Sequence, residues 1–261
     1  MTIQCPHCSA NLDVTKAFCP SCKQPITPRS EASRSKAAWR DHAVPWTPRD
    51  VWVGVACQWL LWLLHLLVLV LIQFMPRKLN VGILVMWTEL LWFVTVWLLA
   101  VRKYRGDWET LGLRRFPGKA LGWGIGFLLL YAMFNRLYLF LLALFRLRIQ
   151  NNLGPVLATL SSPWWLWTGI VVVAPVVEEI FFRGFVFGGL RPRYGWQQAA
   201  VISAALFAAI HLPLWTTLLP HLVFGYLLAY LYERSNSIWP GILMHALINA
   251  GVLGRVYFTA K

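Results

Sequence analysis

At 261 residues the chain has the length of one or two ordinary domains, but its composition excludes a soluble globular protein: 58% of its residues are hydrophobic, 13% are charged and the mean hydropathy is +0.57. The formal net charge of +14 raises the question of nucleic acid. Yet the basic residues are scattered over short segments between apolar runs, so no nucleic-acid partner is expected and membrane orientation accounts for them. The 16 tryptophans suit a polytopic protein that fills two membrane–water interfaces with amphipathic rings.

Cys5, Cys8, Cys19 and Cys22 form two knuckles, C-P-H-C and C-P-S-C. Two tight turns of this kind present four thiolates to one Zn²⁺, so residues 1–26 are expected to be a zinc ribbon whose folding free energy comes from the metal. A pair of disulfides would need an oxidising compartment. No cleavable signal peptide precedes the first apolar run near Val51, so this leader is expected in the cytoplasm. His7, between two ligands, reads as exposed. Residues 27–50, rich in Pro, Ser, Arg and Ala, read as a basic linker with an affinity for anionic lipid headgroups. The ribbon invites a protein partner on the cytoplasmic face. The end of the chain, R-V-Y-F-T-A-K, carries no lipidation motif.

Seven membrane spans are predicted, at Val51–Phe74, Val81–Val101, Leu121–Phe145, Trp164–Leu190, Gln197–Leu212, Leu218–Tyr232 and Ile238–Tyr257. The fold class is therefore an all-α polytopic membrane protein. N-terminal transmembrane helices occupy 51–145 and a core occupies 164–257. Most Lys and Arg residues fall in the leader or in the loops after spans two, four and six, which places the N-terminus inside. Pro213 leaves open a single broken helix across spans five and six. Glu89 and Arg136, in spans two and three, are read as a structural ion pair between helices. His65 in span one reads as a satisfied core histidine, and Cys57 as a small core residue.

The stretch A-P-V-V-E-E-I-F-F-R-G, from Ala174 to Gly184, puts three charges inside an apolar span. Ionisable groups at that depth cost several kcal/mol unless partnered. Glu179 and Arg183 stand at i and i+4 and can neutralise each other, while Glu178 points about 100° away. Further on, Phe207 and His211 are one turn apart in F-A-A-I-H, and His245 and Asn249 one turn apart in M-H-A-L-I-N. Counted at ~1.5 Å per residue from the cytoplasmic ends, Glu178 lies ~18 Å deep, His211 ~21 Å and His245 ~10 Å, so the three can meet in one cavity. His221 falls near that depth too. No neighbouring residue assigns it a role, and it stays outside the set.

A carboxylate, two imidazoles and an amide can hydrolyse a peptide bond with activated water: a base, a proton shuttle and donors for an oxyanion. There is no G-x-S-x-G and no H-E-x-x-H. A catalytic zinc held by Glu178, His211 and His245, with Glu179 as base, fits the same residues and stays open.

These three motifs in order, E-E-x-x-x-R, F-x-x-x-H and H-x-x-x-N, resemble those of the CPBP family (CAAX protease, bacteriocin-processing and abortive-infection proteins), which includes the type II CAAX prenyl endopeptidases. The resemblance covers roughly Trp164 to Tyr257. It implies a helical intramembrane endopeptidase with a cavity open to the cytosol that admits a membrane-bound or C-terminal peptide. On that pattern Glu178 and His211 activate water, His245 and Asn249 steady the oxyanion, and Glu179, Arg183 and Phe207 support them. Members are often labelled metalloproteases, whereas the prenyl-processing branch is thought to act through glutamate, which is the mechanism expected here. The alternative is a non-catalytic membrane scaffold or bacteriocin-immunity factor of the same fold.

Overall fold

The structure is a computed structural model that describes residues 2–4, 8, 10–13, 21–22, 44–72, 74, 81–147 and 164–259. The chain divides into two compact units, Met1–Ala43 and Val44–Lys261.

In the first unit, β1 (Thr2–Gln4) and β2 (Asn11–Asp13) pair antiparallel, with Ile3 opposite Leu12. Cys8 lies between the strands and is exposed, and Cys22 is half-buried. Cys5 and Cys19 fall outside the described residues, as does His7, so the expected four-thiolate site does too.

Among the described residues, the regular elements of the second unit are all helices: α1 (Pro48–Ile72), α2 (Val81–Val96, running on as a π-helical turn Trp97–Arg102), α3 (Lys119–Leu144), α4 (residues 164–194), α5 (Trp196–Ala209), α6 (Leu218–Ser235) and α7 (Trp239–Thr259). Each expected span has its helix. Among the described residues, four stretches are long and apolar enough to cross a bilayer, namely Pro48–Val68, Lys119–Leu144, Leu214–Ser235 and Trp239–Phe258. This is an all-α integral membrane protein. Between α5 and α6 the chain makes a 3-10 turn, Leu212–Thr217, in which Leu214 leaves helical geometry at φ −111°, ψ 62°. Spans five and six are thus separate helices.

α4 is the axis of the unit, and residues 177–191 are buried without exception. A helix apolar all round must be enclosed by its neighbours. Two of its segments, Thr168–Val173 and Ile180–Phe187, are π-helical. A π turn shifts the backbone ladder and frees carbonyls, which cannot be left bare in an apolar interior. Ser203 Oγ donates to the Phe182 carbonyl at 2.7 Å, and Trp46 Nε1 donates to that of Phe185 at 2.9 Å.

Trp46 belongs to the stretch expected as the end of the linker. Val44–Asp50 instead packs into the helical unit, where Thr47 and Asp50 cap α1 reciprocally: Thr47 N donates to Asp50 Oδ2 at 2.9 Å, and Asp50 N donates to Thr47 Oγ1 at 3.4 Å. The Tyr104 hydroxyl and the Lys103 ammonium close on the same carboxylate and tie α1 to the end of α2.

α5 and α6 approach closely through small residues. A Cβ on Gly225 would lie 3.1 Å from the Ala204 Cα. Near the N-terminus of α7, Ile238 N donates to the Gly112 carbonyl at 3.0 Å, and Ser237 Oγ donates to that of Arg114 at 2.6 Å. These bonds pin the loop after α2 to the α6–α7 turn.

Among the single-residue expectations, that for His65 holds, while those for Cys57 and for the Glu89–Arg136 pair change. Cys57 is exposed on the outer face of α1 rather than in the core. His65 is satisfied across helices, with its Nδ1 2.7 Å from Thr88 Oγ1 of α2. Arg136 is exposed on α3, while the Oε2 of Glu89 is buried with no hydrogen-bond partner, and no ion pair joins the two among the described residues. Arg136 and Glu89 sit on spans whose outward and inward faces diverge, which helix periodicity alone did not reveal.

Candidate active site

The two carboxylates sit in the α-helical turn Ala174–Glu179, between the two π segments of α4. Glu179 is fully buried and neutralised. Arg183 Nη1 pairs with its Oε1 at 2.8 Å, both side chains are inaccessible, and Arg183 Nη2 donates to the Gly225 carbonyl of α6 at 3.1 Å. The guanidinium also lies 4.7 Å from the Phe207 ring centroid. Removing one member of such a pair leaves an uncompensated buried charge, at a cost of about 3–5 kcal/mol.

α7 brings His245 between the carboxylates. Its Nδ1 is 3.1 Å from Glu179 Oε1, and its Nε2 is 3.7 Å from Glu178 Oε2. A carboxylate only accepts, so Nδ1 carries the proton and Nε2 faces Glu178. Glu178 Oε2 is buried without a hydrogen-bond partner. The helix-internal reading of Glu178 therefore holds, and its nearest polar neighbour comes from another helix.

Phe207 is the hub for the remaining groups. Its ring centroid lies 5.3 Å from that of His211, 5.8 Å from that of His221 and 5.6 Å from that of His245. The His211 and His221 rings stack at 3.8 Å, inclined by 19°. His211 Nδ1 is 3.0 Å from the Phe207 carbonyl, and His221 Nδ1 is 2.7 Å from the Thr217 carbonyl. Each Nδ1 must donate to its carbonyl, which leaves both Nε2 atoms as acceptors in the neutral rings. Both histidines are half-buried, so they form the accessible edge of a cluster whose carboxylates lie deeper.

Asn249 stands one turn beyond His245. Its Nδ2 donates to the Ile170 carbonyl at 2.9 Å, in the first π segment of α4. That bond locks α7 to α4 and commits one amide hydrogen to the backbone.

The expected residues are thus gathered in two groups. Glu178, Glu179, Arg183 and His245 meet directly, and His211 joins them across Phe207. Among the described residues, no three His, Cys, Asp or Glu side chains converge as a metal-ligand set. Glu178, His211 and His245 do not close round one ion in this geometry. His221, absent from the motif set, is part of the cluster. The available signal was its depth on the sixth span, one turn before Gly225.

Residues 160–251 match the family model described as Type II CAAX prenyl endopeptidase Rce1-like. The whole cluster lies inside that Rce1-like segment. A Bacillus subtilis (strain 168) protein named "Putative membrane peptidase YdiL" is 35% identical over 82 residues, covering 31% of this chain and 33% of its own length. A Lactococcus lactis subsp. lactis (strain IL1403) protein named "UPF0177 protein YxdF" is 28% identical over 78 residues, 30% of this chain and 42% of its own length. The chain therefore spans about a third to two fifths of the curated relatives it matches. No solved structure matches it.

Proposed function

We propose that this protein is an intramembrane endopeptidase that hydrolyses a peptide bond of a membrane-associated protein or peptide with water activated by Glu178 and His211. The observation that carries this reading is the unequal commitment of the two carboxylates. Glu179 Oε1 accepts from both Arg183 and His245, whereas among the described residues no hydrogen bond engages Glu178, whose nearest polar neighbour is the His245 ring at 3.7 Å, although Oε2 of each carboxylate is buried without a partner. A base needs a carboxylate that is not already held in this way.

In the proposed reaction Glu178 takes a proton from water as the water oxygen bonds to the scissile carbonyl carbon. His211 orients that water through Nε2. His245, whose Nδ1 proton is fixed by Glu179, meets the developing oxyanion, and Asn249 holds its register through Ile170 while its second amide hydrogen stays available. The C–N bond then breaks as Glu178 returns the proton to the leaving nitrogen. No step is routed through a metal.

The N-terminus is read as cytoplasmic. Residues 1–26 are read as a zinc ribbon that docks a protein partner, with the basic stretch after it against anionic lipid.

The test is cleavage of membrane-presented peptides, prenylated and not, by the purified full chain and by Glu178→Gln, with bound metal quantified in both. The variant is expected to lose at least about 10²-fold in kcat while melting as the wild type does. Equal cleavage by both would sink the assignment of the base. Cleavage stopped by chelation and restored by zinc would replace the glutamate mechanism. If no peptide is cut, the non-catalytic scaffold or immunity-factor reading takes over.

A further inference from the structure

Glu89 lies on α2, outside the segment that matches the family model, and the reaction above leaves it unused. Its neighbourhood follows from packing. The Trp92 ring, one turn later on α2, contacts Phe181 and Phe182 of α4, with centroids 5.1 and 5.7 Å apart. One to two turns further along both helices, Leu99 and Phe185 converge on Gly54. α2 and α4 therefore run in the same direction here, and stepping back one turn from Trp92 and from Phe181 brings Glu89 level with Glu178.

α2 packs directly on the turn Ala174–Glu179 that carries Glu178. The Oε2 atoms of Glu89 and Glu178 are both buried without a hydrogen-bond partner. Two buried acceptors on facing helices are each costly alone, and a single proton between them satisfies both.

We infer that Glu89 is a positioning residue for the hydrolysis proposed above: it shares one proton with Glu178, donating to one oxygen of that carboxylate and leaving the other to accept from water. Glu89 keeps its proton throughout. The proton removed from water travels by the second Glu178 oxygen to the leaving nitrogen, so the balance of the reaction is unchanged. The other titratable groups around the pair are His65 on α1, which bonds Thr88, Glu179 and Arg183 on α4, and His245 on α7. The added N-terminal helices thus contribute a group to the site.

This inference rests on the peptidase reading, so the experiment has one arm that does not need cleavage. Infrared pH-difference spectra of the purified full chain are compared for wild type, Glu89→Gln and Glu178→Gln. A protonated-carboxyl band present in wild type and lost in both variants is expected, whereas a band that survives Glu89→Gln would overturn the shared proton.

In the kinetic arm, Glu89→Leu is expected to lose about 10²-fold in kcat with KM little changed, while Glu89→Gln, which keeps a donor, stays within about tenfold. Glu89→Gln should also change the shape of the pH–rate profile, because two coupled titrations become one. Wild-type profiles and equal kcat in both variants would reduce Glu89 to a structural role. Should Glu89→Leu fail to fold, the Gln variant decides by its spectrum and profile. If wild type cuts nothing, the peptidase reading fails and the spectra alone judge the shared proton.

Discussion

Gly241 shows how little room the carboxylates have. It lies on α7, one turn before His245, and a Cβ there would stand 3.1 Å from Glu179 Oε2. Gly241→Ala is expected to push Glu179 off Arg183 and His245, costing about 1–3 kcal/mol in stability. Its cleavage rate should fall well beyond what that loss explains. The check is a melting curve in detergent beside kcat for the same preparation, and a variant with wild-type kcat would show that Glu179 can move freely. The same tightness gives Arg183 its role: its guanidinium meets a carboxylate, a backbone carbonyl and an aromatic face from three different elements. Sequence spacing fixed the Glu179–Arg183 contact, because i and i+4 on one helix must meet. It was silent on Gly225 and Phe207 as the partners that complete the shell.

The π segments of α4 decide which groups need help from neighbouring elements. Ser203→Ala would leave the Phe182 carbonyl unsatisfied in an apolar core, at an expected cost of about 1–3 kcal/mol. Thermal unfolding measures it, and a neutral result would mean that the carbonyl finds another donor. In the loop after α2, Asp107 caps the short helix Trp108–Leu111, accepting from Thr110 N at 2.9 Å and from Thr110 Oγ1 at 2.7 Å. Those donors, Thr110 Oγ1 foremost, hold the Asp107 carboxyl below its ordinary value. A carboxyl lowered by folding stabilises the folded loop above its unfolded pKa, and the gain is lost as pH falls through the folded value. Hydrogen exchange at Thr110 N is therefore expected to be slow at neutral pH and to lose protection below about pH 4. Unchanged protection in Asp107→Asn across that range would refute the cap. The Ser203 bond was not anticipated from sequence, since a π turn carries no residue signature, and the Thr47–Asp50 cap lay in a stretch read as linker.

The chain divides after Ala43, and the helical unit 44–261 holds its own core around α4. Deleting residues 1–43 is expected to leave the melting temperature of the helical unit unchanged and to remove whatever zinc the cysteines bind. A truncated protein that cannot be extracted folded would show instead that the leader is needed for assembly. Truncation inside Val44–Asp50 should behave differently, because Trp46 is buried against Phe185 and Thr47 caps α1. At this scale the family match covers residues 160–251 only, yet α1 and α2 enclose the same central helix through Val51, Val55, Trp92 and Val96.

Seven apolar helices, the pairing of Glu179 with Arg183 and the three ordered polar motifs were determined by the sequence, because hydropathy and helical periodicity act within one segment. The membership of His221 in the cluster, the engagement of Asn249 by Ile170, the outward turn of Arg136 and the register that levels Glu89 with Glu178 were decided only by the tertiary structure. Each depends on the register between helices, which is set by close contacts such as Trp92 on Phe181 and Gly225 on Ala204. Two π turns in α4 add to this by rotating every face beyond them, and periodicity counted along the sequence carries no trace of that rotation.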